Sequence, residues 1–293
     1  MQHPSTQGND QVPFVRVGPT PIASPVVLSV PHAGRDYSES LLKASRLKRE
    51  QLEALEDRFV DRLIWRALDL GATALIARRP RAEIDLNRHE AEIDASLVVP
   101  PPSNALPQSA RTRGGLGLIP TRITGAGPIW LHRIQHAELE RRITRIYRPY
   151  HDAVEGALEE ARARFGLAIL LDCHSMPPRA EPGLGQAEIV FGDLHGTTIA
   201  PELLDAALDA ARRCGFRTAC NVPYAGGYIT ARHGKPTQGL HALQIELDRS
   251  IYLAPDMRTP GKGFERTAEF LAELTGALAA RATEGPRQPL AAE

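Results

Sequence analysis

AILLDCHSM, residues Ala168–Met176, decides the fold: an unbroken apolar run that ends abruptly in an acid, a thiol, an imidazole and a hydroxyl. Such a run buries a strand on both faces, as in the parallel sheets of α/β proteins, and delivers His174 at the carboxyl end of that strand. Ligands and catalytic groups collect at this edge of open α/β sheets, because the loops leaving it vary while the strands hold them still. Period-two alternation puts Asp172 on the face of His174, as a support for it, and sends Cys173 to the opposite face as packing. Outward from this strand, residues 25–30 (PVVLSV) repeat the pattern and run into Pro31, His32, Ala33 and Gly34. Two buried strands that each discharge a histidine suggest one shared metal site.

The flanking sequence alternates strand with helix. Residues 46–70 carry Leu52, Leu55, Phe59, Leu63 and Leu68 at spacings of three to five, which predicts one amphipathic helix ended by Gly71. Strands are expected at Thr73–Ala77, Ile189–Phe191 and Leu243–Leu247, and helices over residues 132–165, 200–213 and 263–283. Pro149 should divide or kink the first of these helices and Gly166 should close it. The prolines at 100, 101, 102 and 107 and the glycines that follow them predict a long irregular loop serving as an active-site flap. No repeat of 20 to 50 residues is visible. The alternation gives an α/β fold of three α/β/α layers, with one mixed, mostly parallel sheet of seven or eight strands in a single domain over residues 13–283. The polar tails at 1–12 and 284–293 are expected to be poorly ordered.

With 42% hydrophobic and 24% charged residues the chain falls in the ordinary globular class, and 35 basic against 35 acidic residues leave no global field to favour nucleic acid or an anionic membrane. The arginines at 133, 141, 142, 145 and 148 alternate with glutamates and predict a solvated helix face. Three irregularly spaced cysteines, Cys173, Cys214 and Cys220, argue against a disulfide framework and are expected as small buried hydrophobes. The amino terminus has neither the basic flank nor the apolar core of a signal peptide, and no run of about 18 apolar residues occurs, so a cytoplasmic location is expected.

His32 and His174 are the candidate nitrogen ligands, and a carboxylate should complete the set. Asp36, four residues after His32, and Asp57 and Asp61, one helical turn apart in LEDRFVD, are the available acids. The alternative for the latter two is pairing with Arg58, Arg62 or Arg66 on an exposed helix face. Glu246 lies inside the apolar strand LQIEL, where a carboxylate must neutralise, pair with a group such as Arg249, or serve chemistry. A base beside a metal-activated water fits that position. Arg81, Asn87 and Arg88 form a donor cluster suited to a substrate carboxylate. Residues 226–234 (GGYITARHG) read as a glycine-bounded binding loop carrying Thr230, Arg232 and His233.

Over residues 20 to 255 the chain resembles the N-formylglutamate amidohydrolase family. The carrying motifs are SVPHAG (29–34), EDRFVDRL (56–63), EIDLNR (83–88), LLDCHSMP (170–177), NVPYAGGYIT (221–230) and HALQIELDRSIYL (241–253). That family in turn resembles the zinc carboxypeptidases and aspartoacylase. The resemblance implies a zinc-carboxypeptidase-like fold and one zinc ion on His32 and His174. It also implies substrate-carboxylate binding by Asn87 and Arg88 with Arg81, general acid/base work by Glu246, and hydrolysis of N-formyl-L-glutamate in amino-acid catabolism, as in histidine degradation. Carboxypeptidase-like chains place a glutamate three residues after the first histidine; Arg35 stands there, so Asp57 is taken as the third ligand with Asp36 as runner-up. Ala231, directly after Thr230, stands where the family is expected to carry arginine, with the basic residue displaced to Arg232. The expected partner is a small carboxylate substrate, N-formyl-L-glutamate first. A deacylase or carboxypeptidase for another carboxylated substrate, or a silent ligand-binding homologue, are the other readings.

Overall fold

A computed structural model describes residues 12–178 and 187–284. Among these, seven strands form one mixed sheet: β1 (Phe14–Val17), β2 (Val26–Val30), β3 (Thr73–Ala77), β4 (Ala168–Met176), β5 (Ile189–Gly192), β6 (Thr218–Cys220) and β7 (Leu240–Asp248). Their spatial order is β1-β3-β2-β4-β7-β5-β6. The central four run parallel; β1 is antiparallel to β3, and β5 is antiparallel to β7. From β2 the chain crosses to β3 on one side, and from β4 it proceeds to strands on the other. The carboxyl ends of β2 and β4 therefore flank a topological switch point, where such sheets open a crevice.

All residues of β2, β4 and β7 are buried, as their apolar runs require. Alternate side chains meet two separate cores. On one face Val27, Leu75, Leu170 and Ala242 pack against Tyr150, Val154 and Ala157 of helix α1 (Arg148–Phe165). On the other, Leu28, Ile169, Leu171, Cys173 and Ile245 pack against helices α2 (Pro201–Arg213) and α4 (Phe264–Thr283). Each Leu or Ile so buried stabilises the fold by roughly 1.5–3 kcal/mol. The short helix α3 (Tyr228–His233) lies between α2 and β7 in the chain.

Several sequence expectations are corrected here. The segment expected as one helix over 46–70 is broken into helical pieces at Arg49–Leu52, Glu53–Leu55, Val60–Leu63 and Trp65–Asp69. Apolar spacing hid the break, because the successive pieces each keep their leucines inward. Phe59 takes a left-handed backbone (φ 64°) at the reversal, so Asp57 and Asp61 do not share a helical face. Ahead of Pro149 the helix widens into a π-turn at Ile143–Tyr147, an adjustment that accommodates the missing proline N–H; Gly166, at φ 84°, ends α1. Residues 226–234 are largely helix rather than loop. The proline- and glycine-rich stretch after Pro100 contains a helix at Ala110–Arg113, capped by Ser109, and a small hairpin pairing Arg122–Ile123 with Gly127–Pro128. Strands β1 and β6 escaped detection because they are short and lie at the sheet edges. Of the cysteines only Cys173 is buried; Cys214 is half-buried and Cys220 exposed. Arg142 leaves the expected solvated face to donate to the Glu83 carbonyl, whereas Arg141 and Arg148 pair with Glu138 and Glu90 there. The tails expected at 1–12 and 284–293 lie, apart from Val12 and Glu284, outside the described residues. No helix among the described residues is long and apolar enough to cross a membrane.

Candidate metal and catalytic site

His32 lies two residues beyond β2, in a turn that packs under the exit of β3. Gly34 makes that approach possible, since a β-carbon there would sit 2.0 Å from the Arg79 carbonyl oxygen. The His32 carbonyl accepts the Asp57 N–H at 2.9 Å. This bond gives the break in the 46–70 segment its purpose: the chain leaves helical geometry to bring Asp57 against the β2 exit. His174 comes from β4, and its register partner on β7 is Glu246.

Three donor atoms converge. Asp57 Oδ2 lies 3.2 Å from His32 Nδ1 and 2.9 Å from His174 Nδ1, and the two imidazole nitrogens are 3.1 Å apart. Tetrahedral bonds of about 2.0–2.1 Å to one ion would space their ligands about 3.3 Å apart, so this triangle and its His/Asp/His donors fit a divalent metal. All three residues are buried. The far nitrogen of each imidazole is held by a carboxylate: His32 Nε2 by Asp85 Oδ1 at 2.8 Å and His174 Nε2 by Asp172 Oδ2 at 2.9 Å. That arrangement fixes the tautomer and turns both Nδ1 lone pairs toward the same point. Each buttress is itself anchored. Arg81 and the Asn87 N–H donate to Asp85, and Ser29 donates to Asp172. Ser175 and Arg249 donate to the second oxygen of Asp57.

The electrostatics follow from these contacts. Burial opposes ionisation of Asp57, yet its close contacts with the His174 and His32 imidazoles outweigh it and hold the carboxyl well below its usual range. Burial likewise opposes ionisation of Asp85, and the positive charges of Arg81 and Arg88 outweigh it. His174 is raised well above its ordinary value because Asp172 and Asp57 overcome the desolvation of its charged form. Glu246 is pushed up to about 7, chiefly by burial, with His174 pulling it down and Asp57 pushing it up. Gln244, two residues earlier on the same face, donates to Glu246 Oε1 at 2.9 Å. Arg249 turns to Ser175, the Glu56 carbonyl and Asp57, so it is not the partner of Glu246.

These groups line a cleft of about 580 Å³, a volume suited to a small molecule. Arg81, Asn87 and Arg88 are on its wall. Asn87 Oδ1 accepts the Ile229 N–H at 2.8 Å, which turns its amide nitrogen to Gln244 Oε1, at 3.4 Å, and places it 3.1 Å from His174 Nε2 beside the cleft. Gly227 leaves room for it, because a β-carbon there would lie 2.2 Å from Asn87 Nδ2. Thr230 and Arg232 lie elsewhere. Thr230 is buried on α3, bonded to the Gly227 carbonyl, and Arg232 faces Glu155 at 3.6 Å outside the cleft lining. Asp36 pairs with Arg78, and Asp61 with Arg35, away from the triangle. Asp85, Gln244 and Arg249 were not singled out from the sequence as site residues. The signal available for Asp85 was the one that exposed Glu246, an acid set between apolar neighbours, Ile84 and Leu86.

A family model described as N-formylglutamate amidohydrolase matches residues 24–253. An N-formylglutamate deformylase from Pseudomonas putida is 29% identical over 237 residues, covering 78% of this chain and 82% of the relative. The protein of that name from Pseudomonas aeruginosa is 29% identical over 262 residues, covering 87% and 89%. The crystal structure of N-formylglutamate amidohydrolase from Ralstonia eutropha superposes with a TM-score of 0.87 at 35% identity, covering 94% of this chain and all of the other.

Proposed function

The chain belongs to the N-formylglutamate amidohydrolase family, and on that premise we propose that it hydrolyses the amide of N-formyl-L-glutamate to formate and L-glutamate with one zinc ion. The observation that carries this reading is the convergence of His32 Nδ1, His174 Nδ1 and Asp57 Oδ2, with Glu246 in register beside His174. A zinc ion held by these three side chains would supply Lewis-acid polarisation of the amide carbonyl and a water of lowered pKa.

The protein's own groups do the rest. Gln244 holds Glu246 Oε1, so the other carboxylate oxygen takes the proton from the attacking water and passes it to the departing nitrogen. Asp85 and Asp172 keep both imidazoles in the tautomer that directs Nδ1 inward. Asn87 and Arg88 hold the α-carboxylate of the substrate. Arg81, whose Nε and Nη2 both reach Asp85, supports that pair from behind. The test is a formate-release assay of the zinc-loaded protein on a panel of N-formyl and N-acetyl amino acids and short peptides. Release from N-formylglutamate above the rest of the panel is expected; no formate from any N-formyl amino acid would sink the proposal.

A further inference from the structure

Resting on the function proposed above, we infer that Arg111 and Arg122 seat the side-chain carboxylate of a dicarboxylic N-formyl substrate and so set the preference for it. The cleft is lined by five guanidinium groups against two carboxylates, Asp57 and Glu246. Of the inner three guanidinium groups, Arg81 and Arg249 are committed to the protein, and Arg88 is so through Nε and Nη1 only. Arg81 grips Asp85 through two nitrogens, Arg249 donates to Ser175 and Asp57, and Arg88 donates to the carbonyls of Leu116 and Asn87. Arg111 and Arg122 differ. Both are exposed at the cleft wall, and neither has an acidic partner among the described residues, where most surface arginines do, as in Arg148 with Glu90 or Arg213 with Glu273.

The wall that carries them is built rather than loose. The Arg122 stem lies over Gly115, whose β-carbon would fall 2.2 Å from Arg122 Cγ. The Thr121 N–H donates to the Gly115 carbonyl, and Trp130 Nε1 to that of Pro120. The Leu116 N–H donates to the Arg111 carbonyl, while the Leu116 carbonyl accepts Arg88 Nε, so Arg111 is tied to the α-carboxylate seat. Burial lowers the pKa of Arg88, and the like charges of Arg81 and Arg111 add to that against Asp85. An arriving dianion relieves this excess. It spans from Asn87 and Arg88 to the outer pair, where guanidinium forks match a second carboxylate.

The experiment measures two ratios in the unmodified protein and in Arg111→Gln, Arg122→Gln and the double variant. One is kcat/KM for N-formyl-L-glutamate over N-formyl-L-glutamine; the other is the calorimetric affinity of zinc-loaded protein for L-glutamate over L-glutamine. The double variant should lower both ratios by about 10- to 100-fold, the worth of a charge-assisted contact. Ratios that do not change, with hydrolysis intact, overturn the inference and leave the proposed function standing. Rim-dependent binding without hydrolysis of any N-formyl amino acid sustains the carboxylate seat and removes the proposed function. Loss of both overturns both.

Discussion

The two faces of strand β4 carry the same backbone and serve opposite ends. Ile169, Leu171 and Cys173 point into an apolar core shared with α2 and α4. On the other face Leu170 is followed by Asp172 and His174, and across the strand pair the same change occurs from Ala242 to Gln244 and Glu246. One face is apolar from Ile169 to Cys173 and turns polar only at Ser175, which donates to Asp57; the other is apolar at its base and already ionisable from Asp172 on. The contrast explains how a buried site remains affordable in stability terms. Each ionisable group on that edge is matched by a named partner, so burial is offset by hydrogen bonds or charge, while Ile169, Leu171 and Cys173 on the opposite face supply hydrophobic stabilisation.

The contrast can be broken from either side. Glu246→Gln removes the proposed proton shuttle without touching His32, Asp57 or His174, so kcat should fall by about 10²- to 10⁴-fold with zinc content unchanged. Steady-state kinetics with metal analysis checks this, and a variant of normal turnover would remove Glu246 from the chemistry. Asp85→Asn leaves the three ligands in place but frees His32 to change tautomer. Zinc affinity should weaken by about 10- to 100-fold, read by competition with a chelator; an unaltered affinity would make Asp85 a structural residue only. Leu171→Ala acts on the apolar part of the opposite face and should cost about 2–5 kcal/mol of stability in denaturant titration. Its zinc stoichiometry and the kcat of its folded protein should match the unmodified chain, and a lost metal site would contradict the separation of the two faces.

The parallel centre of the sheet was legible because buried strands announce themselves as apolar runs, and an acid or imidazole inside such a run stands out. His32, His174, Asp172 and Glu246 were found that way. What stayed hidden depends on contacts between segments distant in sequence. The break at Phe59 is set by the His32 carbonyl taking the Asp57 N–H, a bond that leucine spacing cannot encode. Arg232 looked like a ligand-binding residue next to glycines. Those glycines instead permit close packing of Gly227 on Asn87, and the arginine points to Glu155. Asp85 is hidden among the donors Arg81, Asn87 and Arg88, whereas in the structure it accepts from Arg81, from the Asn87 N–H and from His32.

The central claim is that His32, Asp57 and His174 hold one metal, with Asp57 as the carboxylate. Zinc per chain, measured after equilibration against a chelator of matched affinity, tests it most directly in the unmodified protein and in Asp57→Ala and Asp36→Ala. About one zinc per chain is expected in the unmodified protein and in Asp36→Ala, with most of it lost in Asp57→Ala. Full zinc occupancy in Asp57→Ala, with loss in Asp36→Ala, would contradict the site described here.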